Sequence, residues 1–384
     1  MNTPQSPGRL AVVACIAALG ALSGCAARPT ASLPEDFEII RSYGWDTSVA
    51  DPEASWSPAT NKVVARDAGG FVILLEGDTG TGRQRFASKE RRETHHPVWI
   101  NEQEVVFGPS ANAERLPDGR VVPASEGLTV VTLNGATPLQ KLLSKVGYRP
   151  RIGKDRIFAQ VEDHIVTIDE FGGKEDFGPP GFFAEPQRDG DGVCWQETPV
   201  TEPDWWTGKP VRSNLVIRWS WRQVDQLPGG LEPRWTNSGG VVATVLRAEP
   251  ASGQPWYEVG TDVVHIAGPK RAPVVVAHNA RDASPHPTQP VIAVATPDGR
   301  IAIVSCDGTH RVDIAEGRHP QWSPDGTRLL VEEARSSAPP ALPSLREEDR
   351  SRAAEAVARA PGNVDHQPKR LTVHVFKFNP GPRH

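Results

Sequence analysis

The chain has 384 residues, with 42 Lys and Arg against 47 Asp and Glu and a formal charge of −5, a balance without the basic footprint of a nucleic-acid binder. It carries 35 Gly and 37 Pro, dense turn clusters and short apolar runs rich in Val and Ile, which favour many strands over helices and point to an all-β class.

Residues 1–24 read as a bacterial lipoprotein signal peptide. A single basic residue, Arg9, precedes an apolar run from Leu10 to Leu22 that is too short for a transmembrane helix, and Leu22-Ser23-Gly24-Cys25 follows. This run resembles the lipobox of bacterial lipoproteins, in which the cysteine is lipidated and becomes the mature N-terminus, so the resemblance implies lipidation at Cys25. Ala26 stands where an Asp would resemble an inner-membrane retention signal. The expected address is therefore the outer membrane facing the periplasm. Residues 25–36 are a small, polar, Pro-containing tether, and the lipid would hold an otherwise soluble domain on the membrane.

The remainder, 37–380, is organised by a repeat. His319-Pro320-Gln321-Trp322-Ser323-Pro324-Asp325-Gly326 reads as a strand ending in a tight turn, and an apolar strand, Arg328 to Glu333, follows. Pro-x-Trp recurs at 97–99 and 233–235, with looser copies beginning at Ala54, Pro150, Pro186 and Pro285. The seven anchors are spaced by about 44 residues, within the ~40 to 50 expected of one four-stranded propeller blade. The spacing favours seven blades over six or eight.

In chain order, Phe37-Glu38-Ile39-Ile40 is a lone strand ahead of the first anchor. Blade one offers Lys62 to Ala65, Phe71 to Glu76 and Gln84 to Ala87, with Gly77 to Gly82 as a hairpin turn. Blade two offers Glu104 to Phe107 and Leu128 to Leu133 around a polar insertion at 109–127. Blade three offers Arg156 to Val161 and His164 to Ile168. Blade four lacks a Trp at its anchor and carries an insertion, 197–213, holding Trp205 and Trp206 as an exposed aromatic pair suited to a sugar, peptide or partner surface. Blades five and six supply strands at 240–246, 262–266, 274–277, 291–295, 301–305 and 311–314. Blade seven has Leu371 to Phe378 after an insertion, 334–369, with a short helix capped by Ser344 and stopped at Pro361-Gly362. It then lacks a fourth strand, and pairing with Phe37 to Ile40 would close the ring. Cys194 and Cys306 fall two blades apart and are expected as free thiols.

The repeats, above all His319 to Glu333, resemble those of TolB-like β-propellers, whose blades carry Pro-x-Trp-Ser-Pro-Asp-Gly. The core is complete at 322–326 and partial at Trp56-Ser57-Pro58, and the resemblance covers roughly 50–380. It implies a binding or assembly protein of the cell envelope.

Catalytic and phosphate-binding motifs are absent: there is no His-Glu-x-x-His, no Gly-x-Ser-x-Gly and no phosphate loop. His95 or His96 could ligate a metal together with His286 and His319, but adjacent His95 and His96 in a strand point opposite ways, and no metal or cofactor is expected. The residue before each anchor is polar throughout: Glu53, His96, Arg149, Glu185, Glu232, Ser284 and His319. In a propeller these first-strand positions line the central channel and form a circle able to hold a charged peptide end or a sugar; equally, polar residues favour any loop entering a blade. The reading is a lipid-anchored, monomeric envelope propeller binding a protein, peptide or glycan, without nucleic acid. The alternative is a propeller-type glycoside hydrolase or polysaccharide lyase.

Overall fold

The computed structural model describes residues 37–46, 53–58, 62–67, 71–76, 84–87, 94–109, 114–115, 121–122, 127–133, 139–161, 164–197, 214–248, 260–334 and 369–378. Twenty-eight strands form seven four-stranded antiparallel sheets, and a two-stranded ribbon, Glu114–Arg115 with Val121–Val122, lies in the polar insertion of blade two. Six blades are uninterrupted meanders in chain order, apart from that insertion. The seventh is built from both ends of the domain, in the order Phe37–Asp46, Lys369–Phe378, Arg328–Ala334, Arg318–Trp322. The fold class is all-β, a seven-bladed β-propeller, and no helix occurs among the described residues.

Each blade is held by its middle strands, whose alternate side chains point to opposite faces of the sheet. In blade one, Val63 and Ala65 pack towards blade seven and Val64 towards blade two. In blade two, Val105 and Phe107 face back to blade one while Val106 faces blade three. Blade three repeats this, with Ile157 and Ala159 on one side and Phe158 on the other. Seven apolar clusters result among the described residues, one at each blade-to-blade interface. Because both faces of every sheet are covered, these strands read as near-continuous apolar runs rather than as the half-buried alternation of a one-sided sheet.

Three of the four anchor Trp residues tie successive blades together by a second device. Trp99 Nε1 donates to the Ser55 carbonyl at 3.2 Å, Trp235 Nε1 to the Glu185 carbonyl at 2.9 Å, and Trp56 Nε1 to the Gln321 carbonyl at 3.0 Å. Each bond runs to the first strand of the preceding blade, so the indole fills the interface and satisfies a backbone acceptor at once. The Ser-Pro-Asp-Gly turn closes on itself: Ser323 Oγ donates to Asp325 Oδ1 at 2.5 Å, and the Gly326 N–H donates to the Ser323 carbonyl at 2.8 Å with φ at 71°. Ser305-Cys306-Asp307-Gly308 reproduces the same bonds in blade six.

The expected fourth strand of blade seven is the N-terminal segment, which runs further than the sequence suggested. Phe37–Asp46 pairs antiparallel with Lys369–Phe378, with a bulge between Ile39 and Arg41. Trp45 is 4% exposed and packs with Leu330, Leu371 and Val373 against blade one, while Ser42 Oγ and His374 Nδ1 lie 2.8 Å apart. Sequence reading also missed four blade strands: Leu139–Leu142, Lys174–Pro180, Val193–Glu197 and Gln223–Pro228. The outermost of these are half-exposed and rich in polar residues, because an outer strand has few apolar neighbours to satisfy. Cys194 is buried in blade four and Cys306 half-buried in blade six, both as free thiols. Cys25, the 77–82 turn, Trp205, Trp206 and the helix of the 334–369 insertion lie outside the described residues.

Closing the ring with Trp45 predicts a contrast within one strand. Trp45→Ala is expected to lower the unfolding free energy by about 3–5 kcal/mol in chemical denaturation, whereas Ile40→Ser, at an exposed position beside the bulge, changes it by no more than about 0.5 kcal/mol. Equal effects at the two positions would contradict closure by this segment.

Candidate central-channel site

The first strand of every blade, or in blade one the residue two positions ahead of it, carries one non-glycine residue in the left-handed region: Glu53 (φ 46°), His96 (51°), Arg149 (51°), Phe183 (57°), Glu232 (49°), Asp282 (53°) and His319 (48°). In blades two to seven that residue sits inside a break in the pairing with the second strand, as between His95 and Val98 or Arg318 and Gln321. An extra residue in a strand bends it and re-aims a side chain, and a left-handed conformation without glycine costs on the order of 1 kcal/mol. Seven such costs at equivalent positions mark the inner rim as a site whose geometry the surrounding blades impose.

Five of the seven residues expected at these positions have the left-handed backbone: Glu53, His96, Arg149, Glu232 and His319. Blades four and six differ. There the left-handed residues are Phe183 and Asp282, while Glu185 and Ser284 lie two residues further along their strands. The cause is the anchor. Ala184 and Ala283 stand where Pro97, Pro150, Pro233 and Pro320 stand elsewhere, as Ala54 does in blade one, and Pro186 and Pro285 occupy the position of the anchor Trp. Matching on proline therefore placed both blades two residues late.

Neighbouring rim residues touch. The His96 N–H donates to Glu53 Oε2 at 2.5 Å, and His96 Nδ1 lies 3.5 Å from Glu53 Oε1. The same arrangement recurs between blades six and seven, where the His319 backbone donates to Asp282 and His319 Nδ1 lies 3.5 Å from Asp282 Oδ2. The bulge thus frees a backbone N–H that the carboxylate of the preceding blade satisfies. Between them, the Arg149 guanidinium stacks 3.8 Å above the Phe183 ring, and Glu232 is hydrogen-bonded to Asp282.

A second tier lies two residues along each strand. Arg151 Nε and Arg234 Nη1 approach the same Glu185 oxygen, at 3.3 and 3.1 Å, while Ser284 Oγ accepts the Trp322 N–H at 3.1 Å and Gln321 Nε2 donates to the Ala54 carbonyl at 2.9 Å. The channel is consequently polarised, with Arg149, Arg151 and Arg234 on blades three to five and the Glu232–Asp282 pair on blades five and six. Sequence reading missed Phe183, Asp282, Arg151 and Arg234. The two arginines were findable as the x of Pro-x-Ile and Pro-x-Trp, two residues from rim positions.

Electrostatics follow from this crowding. Burial, then the Asp282 charge, push Glu232 up to about 7, so near neutrality it is only partly ionised. Burial opposes ionisation of Asp282 as well, but His319, Arg281 and the bond from Glu232 keep it below the usual carboxylate range. Burial and the adjacent Arg151 and Arg234 bring Arg149 down to about 10, leaving it fully charged at neutral pH. His286 is held elsewhere. Its Nδ1 accepts the Thr288 and Gln289 N–H groups at 3.1 and 3.0 Å, its Nε2 donates to the Gly326 carbonyl at 3.0 Å, and its ring meets Trp322 edge-on at 4.7 Å. It is therefore a neutral clasp between blades six and seven.

No protein-family model matches this chain, and no curated protein does. Solved structures match its fold. The WD40 repeats of RRP9 align with a TM-score of 0.51 at 9% identity, covering 89% of this chain and 98% of that one. The β-propeller domain of Myceliophteria thermophila Cps50 (Swd1) aligns with a TM-score of 0.51 at 8% identity, covering 89% and 100%. The tricorn protease aligns with a TM-score of 0.49 at 10% identity over 79% of this chain, which spans 33% of the protease chain. The protein shares the seven-bladed, WD40-like β-propeller architecture.

Glu232 gives the channel a signature in pH. Its ordinary value is 4.5 and its folded value about 7, so the folded state binds more protons in that window. The stabilisation is complete below about pH 4.5 and is lost as pH rises through about 7. Denaturation at pH 8 should give an unfolding free energy on the order of 1–3 kcal/mol lower than at pH 5, with Glu232→Gln removing most of that difference. An unchanged pH profile in the variant would show that another group titrates.

Proposed function

We propose that this protein is a lipid-anchored binding or assembly module of the bacterial envelope, which takes a protein or peptide partner at the mouth of its central channel. The observation that supports the reading is the set of seven left-handed positions, one at the first strand of each blade, which carry polar and aromatic side chains at equivalent places in the ring. A scaffold that needed the channel only as filler gains nothing from charges there, whereas binding groups are commonly held on strained backbone positioned by a rigid frame. The anchor reading is supported by Leu22-Ser23-Gly24-Cys25, and the outer membrane as the address by Ala26 after it.

Two experiments test it. Cys25→Ser is expected to abolish lipid labelling and to move the protein from the membrane to the soluble fraction; a labelled, membrane-bound variant refutes the anchor. Crosslinking in intact envelopes should yield a discrete partner with the native chain, and a His96→Ala, His319→Ala double variant should weaken that product several-fold while its melting temperature stays within a few degrees. Undiminished crosslinking in a folded double variant removes the rim from the interface.

A further inference from the structure

The arginine arc of the channel differs from every other charged group of the rim in how it is compensated. Arg151 and Arg234 share one carboxylate, Glu185, and each also donates through Nη1 to a carbonyl beside it, at Pro150 and Pro233. Arg149 lies close enough for both to lower its affinity for a proton. Two guanidinium groups thus share Glu185, while the third, Arg149, is attracted by the charge of Glu53 without an ion pair to it. Among the described residues Arg149 makes no hydrogen bond or ion pair, and its contact is the stacking of its face on Phe183. Stacking uses the face of the planar group and does not engage the five N–H donors of its edge.

Such a group is costly. A sequestered guanidinium without an acceptor loses hydration and receives no charge-assisted bond in return, and Arg151 and Arg234 add repulsion. The arrangement becomes favourable when an oxyanion enters: a planar fork matches two oxygens of a carboxylate or phosphate, and Phe183 fixes the plane in which the fork lies. The acidic pair Glu232–Asp282 does not reach Arg149: its charge acts on His319 and Arg281 and, within the arc, on Arg234.

We infer that the channel contains an oxyanion subsite, in which Arg149, platformed by Phe183 and backed by Arg151 and Arg234, receives a carboxylate or phosphate group of the ligand. This rests on the channel being a binding site and names the chemistry it recognises. Succinate and inorganic phosphate are the probes, added to the full chain at fixed pH and ionic strength with chloride as the balancing salt. Either anion should raise the melting temperature by several degrees at millimolar concentration, succinate alone assigning a carboxylate ligand and phosphate alone a phosphorylated one. Arg149→Met should melt no lower than the native chain in chloride, since an uncompensated charge is removed, and should lose the anion-dependent rise. Arg222→Gln, which alters an exposed arginine stacked on Trp221, should keep it. Should Arg149→Met fail to fold, Arg149→Lys takes its place, keeping a charge but not the fork, with an expected loss of about tenfold in anion affinity. No shift with either anion, an equal shift in Arg149→Met, or native affinity in Arg149→Lys overturns the subsite. The partner reading is tested separately by crosslinking, so anion binding without a crosslinked product would leave the subsite standing and remove the partner.

Discussion

A sheet with two apolar faces has no stable existence alone, and this protein is organised around that constraint. Val63 and Ala65 need blade seven, Val64 needs blade two, and the same dependence passes from blade to blade until it returns to its start. A ring of such sheets is stable only when closed, because an open ring would leave two apolar faces in water. The strand from Phe37 to Asp46 meets this requirement by completing blade seven from the other end of the domain. Trp45 then lies at the interface with blade one, where the chain's two ends and its first repeat come together.

Closure also creates the channel. Once seven first strands are brought around one axis, their inner side chains share a confined space, and the bulge in each strand sets which side chain is presented. The backbone strain is distributed evenly, but the chemistry is not. Two blade junctions carry an acid–histidine pair, one carries a hydrogen-bonded carboxyl pair, and one carries a guanidinium on an aromatic ring. A repeat fold supplies seven equivalent positions, and the sequence has made them unequal. That asymmetry is why a directional ligand, with an oxyanion at one end, suits the opening better than a symmetric one.

Fold similarity to WD40-like propellers at 8–9% identity reflects this same division. What such chains share is the covering of both sheet faces and the strand order, which many sequences satisfy. The rim residues are not part of that shared requirement, and so the architecture of a neighbour carries no information about what Arg149 or Glu232 does.

Sequence alone determined the repeat, the blade number, most inner strands and the closing segment, because each is written in local patterns: an anchor Trp, a Ser-Pro-Asp-Gly turn, an apolar run of strand length. Five of the left-handed residues were legible for the same reason, four because they precede a recognisable proline and Glu53 because Trp56-Ser57-Pro58 follows it. Phe183 and Asp282 were not, because their blades carry Ala in place of that Pro and Pro in place of the anchor Trp, and a pattern matched on proline slips by two residues. Outer strands such as Gln223–Pro228 were equally silent, being polar and half-exposed. Only the tertiary structure decided which residues meet: Arg149 and Phe183, Glu232 and Asp282, Arg151 and Arg234 come from different blades, and their pairing depends on ring closure and on where each bulge falls, neither of which is encoded by the residues nearest in the chain.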